Sequence, residues 1–96
     1  MNTNQHAKAC DRNRVIAEAL QAAANAVDEL ARDGAPVRVI GARATFGPGI
    51  PDPAISIHVD RVDELPGKAS SHVSPGAIRK TKVFHSVAFY QVRLSP

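Results

Sequence analysis

The chain reads as an α+β domain, one long N-terminal helix packed on a three-stranded antiparallel sheet in the order α-β-β-β. Three observations predict it. An alanine-rich segment carries apolar residues at helical spacing, a later segment alternates apolar and polar residues, and the C-terminal stretch is rich in β-branched and aromatic side chains. Ninety-six residues suffice for one core and not for two.

Residues 1–10 are polar and aperiodic, and a frayed tail is expected there. Residues 11–33 follow a helical pattern, with Ile16, Leu20, Ala23, Val27 and Leu30 on one stripe. Asp11 or Asn13 suits the N-cap, Gly34 suits the left-handed position past the C-terminus, and Pro36 forbids continuation. A neighbouring flank of small residues, Val15, Ala19, Ala22 and Ala26, offers a close-approach surface for a helix-mediated homodimer; the alternative is that the whole apolar arc packs on its own sheet and leaves a monomer.

The first strand is expected over 37–46, where apolar parity switches near Gly41 and suggests a bulge. The GPGIPDP segment at 47–53 connects it to a second strand over 54–62, in which Ile55, Ile57 and Val59 alternate with Ser56, His58 and Asp60. Residues 63–79 hold two prolines, two glycines and three serines and read as a long loop. Residues 81–94 form the third strand, with apolar residues on both parities. The tail over 1–10 and one domain over 11–96 complete this organisation.

Chemistry-bearing residues are sparse. His58, His72 and His85 lack the paired spacing of zinc ligands, so no metal or cofactor is expected. Cys10 stands alone, and with no basic-then-apolar leader in MNTNQHAKACDRNR the expected setting is reducing and cytoplasmic. No apolar run approaches the ~20 residues of a membrane span. Gly47-Pro48-Gly49 precedes a strand rather than a helix, which favours a turn over a phosphate loop. Ser70, Ser71, His72 and Ser74 with Asp60 or Asp63 make a triad only on paper, because nothing rigid holds them. No enzyme is expected.

Charge is the clearest signal. The net charge is +3, yet no acidic residue follows Glu64, whereas Lys68, Arg79, Lys80, Lys82 and Arg93 do. Such polarity steers an acidic partner. The expected partner-facing set is Lys68, His72, Arg79, Lys80, Lys82 and His85. It suits a small non-enzymatic accessory protein that binds an acidic protein through its sheet face and basic loop; the alternative is nucleic acid, held by Lys68, Arg79, Lys80 and Lys82.

The helix end ELARDGAPVRVI, the strand PDPAISIHV, the Gly/Ser/Pro loop and the H-x3-F spacing from His85 to Phe89 span about residues 13–94. In these features the chain resembles small uncharacterised proteins encoded in bacteriophages and prophages of proteobacteria. The resemblance implies a phage accessory role and carries over no functional residue.

Overall fold

The computed structural model describes residues 3–46 and 52–94. Helix α1 runs Thr3–Asp33 and is followed by β1 Val39–Thr45, β2 Ala54–Val59, a 3-10 turn Val62–Glu64, β3 Ser70–Ser74, β4 Ala77–Phe84 and β5 Val87–Leu94. The strands form one mixed sheet, ordered β1-β2-β5-β4-β3. Only β2 and β5 pair in parallel, over Ser56–His58 against Ala88–Tyr90; the other neighbours are antiparallel.

The three-stranded antiparallel expectation is therefore corrected to five strands with a parallel seam. Two turns account for it. The stretch over 81–94 is not one strand, because His85 and Ser86 take positive φ (48° and 66°) and fold it into a two-residue hairpin between Phe84 and Val87. Both residues left-handed is the type I′ pattern, usually built from Asn and Gly. The segment expected as a loop over 63–79 contains β3 and the start of β4, joined by Pro75-Gly76 with Gly76 at φ 82°. Pro followed by a left-handed Gly is the sequence of a type II turn.

The helix starts at Thr3, so Asp11 and Asn13 lie within it and do not cap it. Its C-terminus is closed as the sequence predicts. Gly34 has φ 63°, the Ala35 N–H donates to the Leu30 carbonyl at 3.3 Å, and the Gly34 N–H donates to the Ala31 carbonyl at 3.4 Å. That pair of bonds is the Schellman arrangement, which satisfies carbonyls the helix leaves open. In β1 the register with β2 slips between Val39 and Gly41, the bulge expected at the parity switch. The turn expected at Gly47-Pro48-Gly49 lies outside the described residues.

The core lies between α1, the Val62–Leu65 segment and one sheet face. Ala23, Ala26 and Leu30 meet Ile57, Val59, Val87 and Phe89, while Val62, Leu65 and Phe84 extend the cluster beneath the 3-10 turn. The expected helix stripe is rolled. Leu20 is 51% exposed, whereas Ala23 and Ala26 are buried and Ala22 packs against the core. The cause is size complementarity: Phe89 and Ile57 fill the space above the sheet, and alanines opposite them let the helix come close.

Phe89, fully buried, should cost about 3–5 kcal/mol on truncation to Ala, and Ile57→Ala about 2–5 kcal/mol. At high dilution Leu20→Ala should cost less than about 1 kcal/mol, as an exposed site. Urea unfolding measures all three; a Leu20 effect as large as that of Phe89 would contradict the roll of the helix.

Candidate binding face

Strand alternation divides the polar residues between two faces. Ile57 and Phe89 are paired neighbours in the core, so Lys82, paired with Phe89, and Lys80, paired with Gln91, share the helix side. His58, Tyr90, Arg79 and His72 occupy successive strands on the opposite, open face. Arg43, paired with Ser56, joins them by the same parity.

On the helix side the lysines serve the fold. The Lys82 ammonium is buried and donates to the backbone carbonyls of Leu65 at 2.7 Å and Asp63 at 3.2 Å. This bonding pins the 3-10 turn to β4. Lys80 Nζ donates to both Asp63 carboxylate oxygens, at 3.1 and 3.3 Å, and Arg93 approaches the same carboxylate at 3.7 Å. Val62 N–H donates to Gln91 Oε1 at 3.1 Å, a further tie between turn and sheet.

The open face holds a shallow cleft of about 200 Å³, lined by Arg43, His72, Arg79, Tyr90 and Val92 among others. The His58 and Tyr90 rings stack with centroids 4.8 Å apart and planes 3° from parallel. The Arg79 guanidinium lies 5.9 Å from the Tyr90 ring centroid, within range of a cation–π contact. None of the five strands contains Asp or Glu, so the cationic groups here face no carboxylate from the sheet itself.

Of the partner-facing set, the structure brings together His72 and Arg79 only. Lys80 and Lys82 lie on the other face, Lys68 is exposed before β3, and His85 sits in the hairpin turn with its ring edge-on to Phe84 at 4.5 Å. Arg43, His58 and Tyr90 complete the cleft and its rim, and sequence reasoning had not placed them there. The available signal was parity, since His58 sits among the polar positions of the cleanest alternating strand.

The paper triad does not assemble. Ser71 lies on the helix side and Ser70, His72 and Ser74 on the open side; Asp63 is held by Lys80, and Asp60 Oδ1 accepts the Arg38 N–H at 2.8 Å. Cys10 is exposed on α1, inside the helix rather than ahead of it. Among the described residues no three His, Cys, Asp or Glu side chains come close enough to share a metal ion, and no helix is long and apolar enough to cross a membrane.

Removing the buried pin should matter more than removing the exposed ion pair. Lys82→Met leaves two backbone carbonyls without their donor and should cost about 1–3 kcal/mol, whereas Lys80→Ala should stay within about 1 kcal/mol. Equal effects in denaturant titrations would contradict this division.

The hydrogen bond from Lys80 holds the Asp63 carboxyl below its ordinary value of 3.8 against an opposing desolvation, with lesser help from the charges of Lys80, Arg93 and Lys82. A depressed folded-state value stabilises the fold at pH above 3.8, and that contribution disappears as pH falls through the lowered value. Stability should therefore fall less steeply below about pH 4 in Asp63→Asn than in the parent chain. Parallel acid-limb profiles in urea unfolding would refute it.

No family model, curated protein or solved structure matches this chain, so its open face stands on geometry alone.

Proposed function

We propose that this chain is a small non-enzymatic binding protein whose open sheet face takes an acidic segment of a protein partner. The observation that carries the reading is the cleft that Arg43, His72, Arg79 and Tyr90 line together on strands without a carboxylate. Guanidinium groups grip carboxylates through paired, charge-assisted hydrogen bonds. Arg and Tyr are also the side chains that most often anchor protein interfaces.

The surroundings support a protein ligand. Val83, Val92 and Leu94 are exposed and share the open face by register. They supply apolar area that excludes water around the charged contacts. Nucleic acid phosphates would meet the same arginines, but base stacking needs a free aromatic face. The Tyr90 ring is flanked by His58 in a parallel stack and approached by Arg79, which favours the acidic peptide. An accessory role is what the resemblance to phage-encoded proteins implies.

Fluorescence anisotropy with a labelled polyglutamate peptide and, separately, a mixed-sequence single-stranded oligonucleotide tests the reading. The peptide should bind more weakly as salt rises. Arg79→Ala and Arg43→Ala should each weaken binding by roughly tenfold or more, while Lys80→Ala changes it by less than about twofold. Tighter oligonucleotide binding with the same arginine dependence would transfer the cleft to nucleic acid. Peptide binding indifferent to both arginines would overturn the assignment.

A further inference from the structure

On the helix side, an apolar groove of about 800 Å³ runs between α1 and β1. Its helix wall includes Leu20, Ala24, Val27 and Ala31, and its sheet floor includes Val39, Ala42, Ala44 and Ile55. The groove exists because α1 contacts β2 and β5, and the Val62–Leu65 segment contacts β4 and β5, while among the described residues β1 has no comparable roof. We infer that a second copy of this chain fills it, its α1 lying beside the first α1 and along β1.

Three observations select that occupant. The first is the helix itself. At 100° per residue its apolar arc runs from Ala22 through Ala26 and Leu30 to Val27, Leu20 and Ala24, about 200° wide, whereas packing on one layer uses about 100°. The half left over is the wall of the groove. A two-fold interface must be self-complementary, and here the leftover arc of one copy is the helix that the other copy's groove lacks.

The second is spacing. Helices pack 8–10 Å apart and strands lie about 4.8 Å apart. α1 lies chiefly over β2, next to β1, so a neighbouring helix sits along the outer side of β1. The seven residues of β1 span about 23 Å, the length of ~15 helical residues. In a sheet–helix pair–sheet sandwich there are three such strips: each helix on the partner's β1, and helix on helix. At ~10 Å wide they bury about 1,400 Å² in total, within the range of stable specific interfaces.

The third is charge. Asp28 and Arg43, of opposite sign, also line the groove. Asp28 is paired with Arg32 at 3.0 Å, so the rim carries no uncompensated charge of one sign that would repel a second copy.

Light scattering on the eluting 96-residue chain and sedimentation equilibrium at roughly 10–200 μM, a range that brackets micromolar affinity, measure the outcome. The expected mass is twice 10.2 kDa. Leu20→Glu, at an exposed position, should return the chain to monomer with at least about 100-fold weaker association, while Val83→Glu on the open face should leave the dimer intact. If circular dichroism shows Leu20→Glu unfolded, Ala31→Glu takes its place with the same expected result. A monomer at the highest concentration, or a dimer dissociated by Val83→Glu and not by the groove variants, would overturn the inference. Arg79, which lies on the open face and does not line the groove, reads peptide binding independently of either result.

Discussion

One helix about 10 Å across cannot roof five strands that span about 24 Å. That mismatch organises the molecule. α1 settles over β2 and β5, where Ile57, Val59, Val87 and Phe89 present the bulk of the apolar surface. The segment after β2 is drawn across β5 and β4 as a second, non-helical roof, burying Val62 and Leu65. Such a segment has backbone carbonyls to satisfy, and the buried ammonium of Lys82 satisfies two of them. Among the described residues nothing remains to cover β1, and the groove beside it follows from the shortage.

The same constraint sorts the positive charge. In β4 the three cations of the run Arg79-Lys80-Thr81-Lys82 are divided by alternation, Arg79 to the open side and the two lysines to the roofed side. The lysines are consumed by Asp63 and by the carbonyls above the sheet. The local density of basic residues in the sequence therefore overstates what a partner meets. The cleft instead recruits Arg43 from β1, more than thirty positions before Arg79 in the chain.

The legible parts of the fold were those with strong local chemistry. Gly34 marked the helix end, Gly41 marked the bulge, and Ile55, Ile57 and Val59 marked the core face of β2. Other elements were hidden for physical reasons. β3, SSHVS, is exposed along its whole length and so carries no apolar alternation to read. The His85-Ser86 turn lacks the Asn-Gly or Asp-Gly pair that marks such a hairpin, and the two halves of its hairpin ran together as one strand. The helix face was misjudged because Leu20 looked like core, whereas large residues on the sheet called for alanine opposite them. Within the site, His72 and Arg79 were legible by charge; Arg43, His58 and Tyr90 needed the strand order, which a parallel seam between β2 and β5 makes unreadable from local pattern.

That seam has a kinetic consequence. The β1–β2 pair and the β3–β4–β5 meander each close over short chain distances, but β2 meets β5 across roughly thirty residues through only three paired positions, and distant closure is the slow step in assembly. Until that closure the inner edges of β2 and β5 are bare, and bare edges invite pairing between molecules. Refolding yield should therefore depend on how quickly the roofing segment and Lys82 draw the halves together, and dilution protects the chain during that interval.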